Sequence, residues 1–298
     1  MIKHYSLSIL ILLSALQLSA QQDIDIDQLL QEDISPKTEY IRNAFKSTRV
    51  INGQSMEMLG EGVLDFRILH RFGLLKSGIS EMFGLDQASM RIGFDYGVHK
   101  NLTLGVGRST FRKEFDGYVK YRMAHQRKGA KPFPLSILWT SGITMHTLPP
   151  IDPRINYFSN RLSYFHQAIL GRKMGENFTL QLSPTFVHRN LVERSTDKND
   201  MIAIGIGTRI KTGKRTAFII DTYPILYGKN AIQHHPLSLG IDVETGGHVF
   251  QLHITNARGM NEKAFMTETF QNAAKGEFQI GFNLSRVFTV KPNTSTSW

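Results

Sequence analysis

Ala88-Ser-Met-Arg-Ile-Gly-Phe-Asp-Tyr-Gly-Val-His-Lys-Asn-Leu-Thr-Leu-Gly-Val-Gly107 decides the fold. Positions Ala88, Met90, Ile92, Phe94, Tyr96, Val98, Leu102, Leu104 and Val106 are apolar or aromatic. The alternate positions, Ser89, Arg91, Gly93, Asp95, Gly97, Thr103, Gly105 and Gly107, are polar, charged or glycine. Successive side chains on a strand point to opposite faces, so this is a two-faced strand pair turning at His99–Asn101.

The pattern recurs to the end of the chain. Val63–Phe72, Phe115–Gln126, Phe133–Thr144, Leu162–Gly171, Phe178–His188, Met201–Lys211, Thr216–Pro224, Leu237–Glu244, His248–Asn256 and Phe278–Phe288 complete twelve candidate strands. The connections alternate: long at 74–86, short at 99–101, long at 148–160, short at 172–176, and longest at 258–275. Two blur the rule, a shortish loop at 109–114 and a longish turn at 127–131. An even number of 9–11-residue strands, with turns at one rim and loops at the other, predicts an all-β, transmembrane, antiparallel up-and-down β-barrel of about twelve strands. A secreted β-sandwich also alternates, but it does not need one bulky apolar parity on nearly every strand. Charges on that parity, Arg108 and Arg286, fall near strand ends, where their cost is about 0–1 kcal/mol against about 2–4 at the midplane.

The remaining segments are set apart by texture. Residues 1–20 carry Lys3, an apolar run from Leu7 to Leu18, and Leu18-Ser-Ala20: a secretory signal peptide. Residues 21–62 open on Asp23-Ile-Asp-Ile-Asp27, break at Pro36, and place Tyr40, Ile41, Ala44 and Phe45 at helical spacing. They predict a partly helical segment that lies in the periplasm or plugs the lumen, with a flexible leader as the alternative. Residues 63–288 form the barrel, and 289–298 a tail. The chain has no cysteine, which excludes disulfides, thiol nucleophiles and Cys-ligated metals. Its net charge is +10. In the outer membrane that balance points to anionic lipid headgroups and lipopolysaccharide rather than nucleic acid.

Phe45-Lys-Ser-Thr-Arg-Val-Ile-Asn52, Leu69-His-Arg-Phe-Gly73, Phe83-Gly-Leu-Asp86, Asp95-Tyr-Gly97, Gly246-Gly-His-Val-Phe-Gln-Leu-His253 and Gly281-Phe-Asn-Leu-Ser-Arg-Val-Phe288 carry a resemblance. The chain resembles, from about Phe45 to Phe288, an uncharacterised β-barrel family of Gram-negative outer membranes, a domain of unknown function. The resemblance implies a single-chain barrel; for such a barrel the barrel-assembly machinery is the expected partner. It implies no activity and no catalytic residue. Outer-membrane strands usually end the chain at an aromatic, whereas ten residues follow Phe288 here.

The polar parity supplies the candidate site residues: Arg67, Arg91, Lys120, Arg122 and Arg209 against Asp95, Asp116, Asp242 and Glu244, with Arg71 and Asp65 beside them. Such charges form either a selectivity ring along a pore or a paired network filling a narrow lumen. His248 and His253 face opposite sides of one strand, so they cannot share a metal. Ser238 and His253 face the lumen, whereas a lipid-splitting site needs its nucleophile at the lipid face. No enzyme chemistry and no cofactor are therefore expected. The expected function is a narrow pore for a small solute or ion. The alternatives are a non-conducting scaffold that docks a periplasmic or surface partner and, behind it, a lipid-modifying enzyme.

Overall fold

The computed structural model describes residues 37–149, 157–246 and 248–291. The segments read from the sequence as a signal peptide and an acidic leader, and most of the tail, lie outside the described residues. Twelve strands form the wall: β1 (Val63–Leu74), β2 (Ala88–His99), β3 (Leu102–Ser109), β4 (Glu114–Ala124), β5 (Ser136–His146), β6 (Leu162–Met174), β7 (Phe178–Arg189), β8 (Asp200–Lys211), β9 (Thr216–Thr222), β10 (Leu237–Thr245), β11 (His248–Thr255) and β12 (Gln279–Thr289). Each pairs antiparallel with the next, and β12 pairs with β1 from Phe282↔His70 to Thr289↔Val63. The sheet therefore closes and leaves no edge, which a spanning sheet requires because hydrocarbon cannot satisfy backbone groups. The expected twelve-stranded barrel is the fold. Beyond Pro224 the chain pairs once more with β8, through Ile225–Tyr227.

Face assignment follows the alternation. Asp65, Arg67, Leu69 and Arg71 of β1 are buried in the lumen, as are Ser89, Arg91 and Asp95 of β2. Phe94, Leu104, Val106, Val119, Trp139 and Ile202 stand on the exposed outer surface that lipid covers. Arg108 lies over the Phe115 ring at 4.7 Å and Arg286 over Phe288 at 4.9 Å, so both off-pattern charges rest on aromatic faces.

One expectation needs correction. The spacing of Tyr40, Ile41, Ala44 and Phe45 predicts a helix, yet no helix occurs between 37 and 62. Glu39–Tyr40 instead forms a two-residue ribbon with Arg127–Lys128. Tyr40 stacks on His125 at 5.2 Å, and Ala44 and Phe45 are buried among lumen side chains, so neighbours outside the segment override its period. The same ribbon explains the long turn on the short-turn rim. Residues 125–135 fold back through an Arg127↔Phe133 bridge and hold the incoming arm.

Candidate functional site

The lumen is filled from both rims. From the short-turn rim the arm enters and forms a hairpin. Val50 N–H donates to Gly53 O at 2.8 Å, Ser55 N–H to Thr48 O at 2.9 Å, and Arg49 bridges Gln54. The chain then leaves the lumen at Gly62, whose φ of 74° a side chain would resist. Val290 and Lys291 N–H donate to Gly62 O there, at 2.9 and 3.1 Å.

The wall is shaped to this plug. A Cβ on Gly171 would lie 2.3 Å from Met56 Sδ, and one on Gly97 2.0 Å from Gly60 O. Ala44, Phe45, Val50, Ile51 and Met56 pack with Leu138, Ile169, Ala217 and Ile219 of the wall.

From the long-loop rim a cap descends. Residues 256–278 carry α1 (Glu262–Thr267), all six residues buried and capped by Asn261 Oδ1 accepting from Ala264 N–H at 2.8 Å. Phe265 and Met266 pack with Tyr118, Phe165, Val187, Met201 and Tyr223. Lys263 Nζ meets Glu114 at 2.6 Å and Glu268 at 2.5 Å. Plug and cap join through Arg49 Nη1 and Glu262 Oε1, 2.9 Å apart, with 2 % and 1 % of their side chains exposed.

The sequence-derived charges divide into three groups. Arg91 and Asp116 form a two-point pair at 2.8 and 2.5 Å, and Arg67 pairs with Asp65 and reaches Asp95 at 3.7 Å. Others address the plug: Lys120 Nζ donates to Thr48 O (3.2 Å) and Glu57 O (2.7 Å), Asp95 accepts from Thr48 Oγ1 (3.3 Å), and Arg122 donates to Met56 O (3.4 Å). Asp242 accepts from Gln251 Nε2 at 2.7 Å, Glu244 pairs with Lys46 at 2.8 Å near the rim, and Arg209 is buried with its Nε unbonded. The arrangement is neither an open ring nor a purely mutual network, because much of the wall bonds to the plug.

Residues that the sequence reading passed over do as much. Asp221 takes the N–H groups of Ile51, Asn52 and Gly53 at 3.1, 2.6 and 3.1 Å. Asn283, Gln251, Gln181 and Thr179 hold plug carbonyls. Each carried a signal: Asn283, Gln251, Gln181 and Thr179 stand on the polar parity of their strands, and Asp221 is an acid within an apolar run.

Ser238 Oγ bonds Thr255 at 2.7 Å rather than His253. A different pair occupies the lipid face. Ser141 Oγ lies 2.9 Å from His166 Nδ1 across the β5–β6 ladder, and Trp139 Nε1–H donates to Ser141 Oγ at 2.8 Å. Both interrupt the apolar parity, which was the signal available. Among the described residues no cluster of His, Asp and Glu has metal-holding geometry.

Near the short-turn rim a cavity of about 960 Å³ lies beside the arm, lined by Tyr40, Glu57, Gly60, Lys100, Arg122 and His125 among others. His125 Nε2 sits 2.7 Å from Ile41 O. Burial, with the Arg122 and Arg42 guanidinium groups nearby, pushes its imidazole down to about 4. Released from the arm, the ring returns toward about 6.5. Arm docking is therefore at full strength above pH about 6.5 and weakens as pH falls toward 4. A spin label on K46C, the sole cysteine of that variant, should show a mobile fraction that grows between pH 7 and pH 5. In the H125Q background the profile should be flat; the same growth there would assign the effect to another group.

The architecture defines a closed membrane-spanning barrel whose lumen is stoppered by its own chain. The chain belongs to the family described as a membrane bound beta barrel domain (DUF5777), whose model matches residues 45–288. No curated protein matches the chain. Among solved structures it is similar to the NanC porin (9 % identity, 75 % of this chain and 98 % of that one, TM-score 0.48). It is also similar to the translocator domain of the autotransporter NalP from Neisseria meningitidis (13 %, 78 % and 90 %, 0.37) and to LpxR from Salmonella typhimurium (8 %, 76 % and 99 %, 0.33). Likenesses this distant carry no activity across.

Proposed function

We propose that the protein is an outer-membrane conduit that is closed at rest and opens when the 41–59 hairpin withdraws toward the periplasm and, by breaking the Arg49–Glu262 tie, lets the 256–278 cap lift, admitting a small polar solute or ion. The observation that carries this reading is how the wall treats the plug. Lys120 donates to plug carbonyls and Asp221 accepts from plug N–H groups, so withdrawal leaves charged groups that water can satisfy. The backbone ladder closes through β12 and β1 without help from the arm, so the barrel persists when the arm is absent. The test is planar-bilayer conductance of the whole mature chain against a chain lacking residues 21–62. The whole chain should be silent and the shortened one should conduct steadily. Silence in both, with folding proved by heat-dependent gel mobility, would replace the conduit by a non-conducting scaffold that docks a partner.

One observation favours a second reading. A serine hydrogen-bonded to a histidine on a lipid face is the beginning of an acyl-transfer site. It ranks second because no described side chain orients the other His166 nitrogen and because Ser141 stands at the middle of β5, away from the depth of lipid esters. A fluorophosphonate probe should label the wild type and not S141A if this reading holds.

A further inference from the structure

The plug shows what the opened lumen recognises. The wall holds the plug mainly by its main chain. Asp221, 2 % exposed, accepts three consecutive N–H groups from the hairpin tip. Gln251 Nε2 donates to Val50 O at 2.5 Å, Asn283 Nδ2 to Ile51 O at 3.0 Å, and Gln181 Nε2 to Gln54 O at 2.7 Å. Lys120 holds the carbonyls of Thr48 and Glu57, and Thr179 Oγ1 donates to Ala44 O at 2.9 Å. Wall contacts to plug side chains are fewer and gather on Thr48 and Asn52. A surface that reads amide N–H and C=O groups is indifferent to most side chains, as in other main-chain recognition of peptides.

From this we infer that the lumen is a peptide-binding channel, with residues 44–57 as its resident occupant in place of a peptide from outside. This rests on the gated-conduit reading above and names its substrate class. The carboxylate of Asp221 selects donors, and the amides of Gln251 and Asn283 supply donors to carbonyls. The wall therefore offers both an acceptor and donors to one short stretch of main chain, residues 50–54.

The test uses the full mature chain. A Cβ on Gly171 would stand 3.2 Å from the Met56 Cβ, close to the separation that a disulfide spans. The M56C/G171C variant, otherwise free of cysteine, therefore locks the plug when oxidised and frees it when reduced. The probe is a fluorescent twelve-residue peptide with the sequence of residues 45–56. It should bind the reduced variant and not the oxidised one. Methylation of the peptide nitrogens corresponding to Ile51, Asn52 and Gly53 should weaken binding at least tenfold, whereas alanine in place of Thr48 should change it less than threefold. None of those three N–H groups bonds within the hairpin, so methylation strikes the wall contacts alone. The unsubstituted chain should show the same tenfold penalty, which covers a disulfide variant that folds poorly. If the chain lacking residues 21–62 conducts ions but the reduced protein binds no peptide, or if maltotriose blocks that conductance while the peptide does not, the peptide assignment falls and the conduit stands. If the shortened chain does not conduct and the reduced protein does not bind, both fall together.

Discussion

Arg49→Met should free the plug while leaving the barrel intact. Arg49 and Glu262 are both almost wholly buried, and Glu262 also accepts from Gln54 Nε2 at 3.2 Å. Removing the guanidinium strands a carboxylate inside the lumen, a change that costs about 3–5 kcal/mol when one partner of a buried pair is lost. The cost falls on the contact between plug and cap, because neither residue belongs to a wall strand. The spin label at K46C should become mobile at pH 7, while heat-dependent gel mobility of the barrel stays unchanged. R49M/E262M should restore most of the immobile signal, since replacing both charges by apolar groups is close to neutral. An immobile label in R49M, or a double variant as loose as the single one, would contradict this account of how plug and cap are joined.

Arg91→Met should produce the opposite division. Arg91 and Asp116 lie on β2 and β4, their side chains 1 % and 3 % exposed, and they meet at two points across β3. Gly107 of β3 leaves the space, for a Cβ there would stand 2.2 Å from Arg91 Nη2. The orphaned Asp116 again costs about 3–5 kcal/mol, but now within the wall itself. Urea unfolding in lipid should shift to a clearly lower midpoint, and the gel-mobility transition should come at a lower temperature. Recovery in R91M/D116L would tie the loss to the stranded charge; equal midpoints for wild type and R91M would remove this pair from the supports of the wall.

The barrel was legible because its physics is local. Alternation in Ala88–Gly107 records which side of a strand meets lipid, and the rhythm of turns and loops records the rims. The lumen was only half legible. Asp65, Arg67, Arg91, Asp95 and Asp116 follow from parity alone. What they bond to does not, because it depends on a segment more than 40 positions away in some cases. The lumen face is not polar throughout: Leu138, Phe165, Ile169, Val187 and Ile219 face inward. These strands are apolar on both parities, and nothing local says that a second apolar surface, supplied by plug and cap, waits inside. Arg49 and Glu262 stand 213 positions apart, on an arm and a loop without periodicity, so no pattern links them. The arm misled for a related reason: its apolar spacing suits a helix, but its partners are wall side chains that accept and donate to an unwound main chain.

Gly62 has a mechanical consequence. One leg of the hairpin runs in from the short-turn rim, and the other leads through Gly62 into β1. A pull on the incoming leg at Lys37 therefore loads the contacts one after another: the ribbon at Tyr40, the carbonyl of Ala44, Thr48, the tip at Asp221, and lastly the returning leg. Bonds loaded in series break singly, so the force needed is that of the strongest single station and not the sum of all. The plug unzips like a seam opened from its loose thread, and because Gly62 remains sewn to β1 beside the closing strand, it stays tethered for return.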